Sequence, residues 1–140
     1  MKKILISLMI CGLLASAGRG FAKEVSVENL AGIPSAAVVE EGVVTGGTPT
    51  AEGLSEARKR GVGIVIDLRT EPDLTAAEEK VVTDLGMTYH NIPVSTPDAI
   101  GAVETAKLGE ILSGRGDTGV LLHCASGRRA NALWQAYQKK

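Results

Sequence analysis

Gly119-Val120-Leu121-Leu122-His123-Cys124-Ala125-Ser126-Gly127-Arg128-Arg129 is the stretch that decides the fold. An apolar run, Val120 to Leu122, ends on His-Cys. A short loop with Ser and Gly follows, then two arginines. Ala130, Leu133, Trp134 and Tyr137 come next at i, i+3, i+4 and i+7, the stripe of a helix over 128–138. The order is strand, loop, helix. Such a loop receives free N–H groups and the positive dipole end of the helix, so it is suited to anions and to a thiol that gives up its proton readily.

Working outward, the chain repeats this alternation. Val38, Val39, Val43 and Val44, broken by Glu40-Glu41-Gly42, read as a hairpin or a bulged strand pair at a sheet edge. Thr48-Pro49 reads as a helix start, with a hydroxyl at the N-cap and Pro at the first position, and Gly61 as its stop. Val62 to Leu68 is a nearly continuous β-branched run, expected to be a strand buried on both faces. Thr75 with Glu78 has the spacing of a capping box ahead of Val81, Val82 and Leu85, with Gly86 as the stop. Met87 to Val94 reads as the next strand, closed by Ser95-Thr96-Pro97-Asp98. Ile100, Val103, Leu108, Ile111 and Leu112 then mark a helix up to Gly114, and the last strand is expected over 116–123.

Alternating strands and helices predict an α/β three-layer sandwich: a mostly parallel central sheet of four to five strands with helices on both faces. Loops at the carboxyl ends of such strands carry function. Cys124, the Asp67–Arg69 segment and the Ser95–Asp98 loop all fall at such ends and are expected to meet in one cleft.

The beginning of the chain reads differently. Met1-Lys2-Lys3 is basic, Ile4 to Ala17 is apolar, and small residues precede Lys23. Residues 1–22 are expected to be a cleaved signal peptide, 23–37 an N-terminal arm and 38–140 the folded domain. A periplasmic or secreted location follows, with no stable membrane anchor after cleavage. Cleavage removes Lys2, Lys3 and Arg19 and leaves 12 basic against 16 acidic residues, a formal charge of −4. No basic patch with interleaved aromatics suggests nucleic acid. Of the two cysteines, Cys11 would leave with the signal, so Cys124 becomes the one thiol of an exported protein, without an internal disulfide partner.

The loop residues have matching chemistry. Gly127 lets the backbone turn its amides inward, and Ser126 offers a hydroxyl to a thiolate. Arg129 can grip two oxygens of a tetrahedral oxyanion with its planar fork. Ala125, Ser126, Gly127 and Arg128 are the expected substrate-binding residues, and His123, Asp67 and Arg69 the supporting ones.

His123-Cys124-Ala125-Ser126-Gly127-Arg128-Arg129 resembles the loop of the cysteine-dependent protein tyrosine phosphatase superfamily. More narrowly it is similar to bacterial dual-specificity-phosphatase-like proteins related to the beta-lactamase hydrolase-like domain. Val44-Thr45-Gly46-Gly47-Thr48-Pro49, Gly63 to Arg69 and His90-Asn91-Ile92-Pro93-Val94 are similar to that group's other segments in the same order. The resemblance implies hydrolysis of phosphate monoesters: attack by Cys124, a phosphocysteine, oxygens held by Arg129 and the loop amides, and a neighbouring Asp as acid. It implies no metal and no cofactor, and does not name the phosphorylated substrate. Asp98 stands where that acid is expected; it could equally cap a helix starting near Ala99, and Asp73 and Glu71 are alternatives. Only four residues separate Cys124 from Arg129, and Ala130 follows where most of the superfamily has Ser or Thr. The bacterial group it resembles shares the four-residue spacing, and so do rhodaneses. Sulfur transfer with a persulfide on Cys124, or an oxyanion-binding module without turnover, are therefore the alternatives.

Overall fold

The computed structural model describes residues 30–140. The expected signal peptide and the first part of the arm lie outside the described residues. Ten elements are needed to build the site. Strands β1 (Ala37–Glu40) and β2 (Val43–Gly46) form the expected hairpin, antiparallel and irregular between Val38 and Glu40. Helix α1 (Ala51–Lys59), β3 (Val62–Asp67), α2 (Pro72–Asp84) and β4 (Thr88–Asn91) follow, then a 3-10 turn (Pro97–Ala99), α3 (Ala102–Ser113), β5 (Gly119–His123) and α4 (Arg128–Gln138). The sheet order is β1-β2-β5-β3-β4, and every pairing except β1–β2 is parallel.

The sheet buries both faces. On one side Val120, Leu122 and Cys124 pack with Leu108 of α3 and Ala130, Leu133 and Trp134 of α4. On the other, Leu121 packs with Leu54 and Ala57 of α1 and Val82 of α2. The period of two along a strand makes this division. It sends Cys124 toward α3 and α4, and His123 toward α2. Leu30 and Ile33 of the arm are buried in the second layer, and the carbonyls of Gly32 and Pro34 accept the N–H groups of Thr50 and Gly47 at 2.8 and 2.7 Å.

Several boundaries differ from the sequence reading. The cap of α1 is Thr50, not Thr48: its Oγ1 accepts the Gly53 N–H at 3.0 Å. Thr48 instead turns its hydroxyl to the Cys124 carbonyl at 3.3 Å. Thr75 and Glu78 do not form a capping box, because α2 starts at Pro72, three residues earlier. Thr75 lies inside the helix and donates to the Pro72 carbonyl, and Glu78 is buried with a different set of partners. Asp98 does not cap α3. Gly101 is at that position, and Glu104 accepts its N–H at 2.8 Å. Val103, expected on the apolar stripe, is 61% exposed.

Candidate active site

Strand β5 ends at His123 between β2 and β3, so the loop that follows leaves the middle of the sheet. Three neighbours anchor it. The Cys124 N–H donates to the Gly46 carbonyl at 3.3 Å, the Thr48 N–H to the Ala125 carbonyl at 3.2 Å, and the Leu68 N–H to the His123 carbonyl at 2.9 Å. Ser126 also bridges to Gly47. Gly127 caps α4 at φ +92°, a left-handed conformation that costs a side chain roughly 1–2 kcal/mol.

That conformation aims the Gly127 N–H at Cys124 Sγ, 3.1 Å away. Cys124 is fully buried. Burial alone pushes its thiol up. The amides of Ala130, Ser126, Gly127 and Arg129 outweigh burial and hold it below its ordinary value. Arg129 is half-buried, and its Nη1 donates to the Val94 carbonyl at 2.8 Å, linking the loop to the segment after β4. Ala125, Ser126 and Arg128 are exposed. A cleft of about 300 Å³ lies beside the loop, lined by Thr70, Glu71, Ser95, Thr96, Pro97, Ser126, Arg128 and Arg129. The loops after β3, β4 and β5 meet at this cleft through Thr70 and Glu71, Ser95 to Pro97, and Ser126, Arg128 and Arg129, whereas Asp67, Arg69 and Cys124 are buried and do not line it. Asp98 is exposed on the 3-10 turn next to Pro97 and does not line the cleft.

Beneath the loop, on the α2 side, is a buried polar network. Arg69 Nε and Nη2 grip both oxygens of Asp67 at 2.9–3.2 Å, and Nη2 also donates to Glu78 Oε1 at 3.1 Å. The other Glu78 oxygen is 2.5 Å from His123 Nε2, while His123 Nδ1 faces the Cys124 carbonyl at 3.4 Å. Tyr89 donates its hydroxyl to Asp67 Oδ2 at 3.0 Å. Burial pushes the Asp67 carboxyl up, and the bonds and charges of Arg69 with the charge of His123 hold it below the usual range. Burial, then the charge of Asp67 and its hydrogen bond, push the Tyr89 phenol up.

Asp67, Glu78 and His123 offer ligand atoms within 4.8 Å of one another. The Arg69 guanidinium already bridges the two carboxylates, so the cluster is a closed salt-bridge network. His123, Asp67 and Arg69, the expected supporting residues, all lie in this network. Glu78 and Tyr89 are the members sequence reasoning missed. The signal was Glu78 itself, four residues before Val82 and so on the inward face of α2.

The family described as "DSP-PTPase phosphatase fused to NAD+ Kinase" matches residues 24–140, and the chain belongs to this family. It is a tyrosine- or dual-specificity-phosphatase-like hydrolase. A candidate phosphatase (DUF442) from Shewanella putrefaciens CN-32 is 30% identical, with a TM-score of 0.71 over 81% of this chain and 76% of that one. The catalytic core of the PP-IP phosphatase Siw14 from S. cerevisiae shares the fold at 17% identity (TM-score 0.62; 76% and 66% coverage). TpbA of P. aeruginosa does so at 16% identity (TM-score 0.58; 74% and 67%). No curated protein matched the chain.

Proposed function

We propose that the protein hydrolyses phosphate monoesters through a phosphocysteine on Cys124, with Arg129 and the amides of Ser126 and Gly127 holding the phosphoryl oxygens. The contact that supports this reading best is the Gly127 N–H on Cys124 Sγ, at the head of a helix whose first turn carries Arg129. The amides lower the thiol's proton affinity, and a thiolate is the competent nucleophile. On substrate binding the Gly127 N–H transfers from sulfur to a phosphoryl oxygen. Arg129 exchanges the Val94 carbonyl for two oxygens of the transferring group, a fork-to-fork contact that strengthens as charge spreads over them. The network under the loop holds His123, and with it the Cys124 backbone, in one position. The same reading includes export with cleavage after Ala22.

The four-residue spacing between Cys124 and Arg129 favours sulfur transfer as the second reading, because a smaller cradle suits a persulfide. One assay separates the two. Wild type and Cys124→Ser are given an aryl phosphate, and separately thiosulfate with cyanide. Phosphate release that disappears in Cys124→Ser supports the first reading. Cys124-dependent thiocyanate without phosphate release replaces it with the second. Sulfate-induced stabilisation with neither activity leaves a binding module.

A further inference from the structure

The oxygen that departs from phosphorus needs a proton unless its parent alcohol is strongly acidic. Asp98 is exposed on the 3-10 turn and does not contribute to the cleft wall. In the loop after β3, Glu71 lines the cleft together with Ser126 and Arg129. It is the one carboxylate among the described residues that line the cleft. Glu71 is the N-cap residue of α2; its side chain is exposed, as that of Asp98 is, and its Oε2 accepts the Thr70 N–H at 3.0 Å. Oε1 has no hydrogen-bond partner among the described residues.

The rest of the wall bears on what leaves. Thr70, Ser95 and Thr96 are hydroxyl residues, and Pro97 is the single apolar residue among the described residues that line it. No aromatic ring among the described residues lines it. Tyr89 is tied to Asp67, and Trp134 and Tyr137 pack against each other, 5.7 Å between ring centres. A hydroxyl-bearing alcohol finds hydrogen-bond partners on such a wall, whereas an aryl ring meets no aromatic side chain there and has only the Arg128 and Arg129 guanidinium groups to lie against.

We propose that Glu71 is the proton donor to the leaving oxygen, and that the site takes phosphate monoesters of polar aliphatic alcohols; this rests on the phosphocysteine reading. In the first step an electron pair of the Cys124 thiolate forms the S–P bond. The P–O bond breaks, its pair stays on oxygen, and that oxygen takes the Glu71 carboxyl proton and leaves as the alcohol. In the second step a water oxygen attacks phosphorus and gives its proton to the Glu71 carboxylate. The S–P bond breaks with its pair returning to Cys124, and phosphate departs. An aliphatic alkoxide is a poor leaving group, so this class of ester is the one for which the proton matters most.

The test compares glycerol 2-phosphate with p-nitrophenyl phosphate, whose phenolate leaves without help. Wild type, Glu71→Gln, Asp98→Asn and Cys124→Ser are assayed on both. Glu71→Gln is expected to lower kcat/KM by about 100-fold or more on glycerol 2-phosphate and by less than about 5-fold on p-nitrophenyl phosphate. Asp98→Asn is expected to change each by less than about 3-fold, as for an exposed residue outside the machinery. An equal loss on both substrates in Glu71→Gln, or a leaving-group-selective loss in Asp98→Asn, overturns the role of Glu71. A wild-type enzyme that cleaves only the aryl ester overturns the substrate class. Full p-nitrophenyl phosphate activity in Cys124→Ser is a separate result, and it removes the phosphocysteine reading itself.

Discussion

His123 Nε2 lies 2.5 Å from Glu78 Oε2, and this contact ties the strand that carries the loop to a helix on the opposite sheet face from Cys124. Its other half is Arg69, which holds the second Glu78 oxygen and both Asp67 oxygens. All four side chains are buried. Burying such charges costs several kcal/mol each, which the mutual contacts offset only while the set is complete. Glu78→Ala leaves Arg69 and His123 short of an acceptor. A loss of about 3–5 kcal/mol is expected, the range for breaking a buried pair by removing one partner. Thermal unfolding should register it as a fall in Tm of roughly 10 °C or more. A fall of one or two degrees would show that the contact carries little energy.

The same network dictates how stability responds to pH. The Asp67 carboxyl is held below its ordinary 3.8, so folding favours the carboxylate. That stability is present above about pH 4 and disappears as pH falls through the lower folded value. Tyr89 is the reverse case. Its phenol is raised above the ordinary 10.0, so folding favours the neutral form. Its contribution is complete below pH 10 and is lost as pH climbs toward the folded value. Tyr89→Phe should remove the Tyr89 part of the alkaline decline and lower mid-range stability by about 1 kcal/mol, the usual net worth of a hydrogen bond. Urea midpoints from pH 3 to 11 check both limbs, and an unchanged alkaline limb in Tyr89→Phe would refute the assignment.

Gly127 decides whether the thiol keeps its nearest amide. Alanine at φ +92° is strained, and the added carbon would stand 3.4 Å from the Gly46 carbonyl carbon, an ordinary contact. Relief therefore comes from rotating the backbone, which turns the N–H away from Sγ. In wild type, iodoacetamide should modify Cys124 with a pH midpoint below the ordinary 9.0. In Gly127→Ala that midpoint should move up toward 9.0, with a stability loss of about 1–2 kcal/mol. A coincident midpoint in the two proteins would mean that the other amides alone depress the thiol.

Much of this was legible wherever one short stretch carries its own instructions. Helix α4 spans Arg128–Gln138 as read, because its apolar stripe is unbroken and Gly127 stops the loop in front of it. The apolar runs read as strands over 62–68 and 116–123 are strands over Val62–Asp67 and Gly119–His123, the last one starting three residues later than read. Errors fell where a local rule met a distant partner. Thr75 and Glu78 have capping-box spacing, but Glu78 is drawn inward by Arg69 and His123, nine and forty-five residues away. Thr48 and Thr50 flank Pro49 and both suit an N-cap. The choice falls to Thr50 because Thr48 is engaged by the Cys124 loop. The Cys124–Arg129 loop could be read from consecutive residues. The network beneath it could not, since it is assembled from β3, α2, β4 and β5 only after the sheet forms.

Gly53 sets two effects against each other. It lies inside α1, where replacing glycine with alanine ordinarily gains about 0.8–1 kcal/mol of helix propensity. Here the first carbon of a side chain would stand 2.5 Å from the Gly32 carbonyl oxygen and 2.7 Å from its carbon. Both are backbone atoms of the arm, held there by the Thr50 N–H bond to the Gly32 carbonyl. They can yield only if the arm moves, and overpacking of this kind costs about 1–3 kcal/mol. Steric exclusion should therefore outweigh propensity. Gly53→Ala is expected to lower the urea midpoint and to increase protease cleavage around Gly32, as Leu30 and Ile33 lose their seat beside Leu54. A raised midpoint with an uncleaved arm would show that the arm contributes nothing to holding α1 in place.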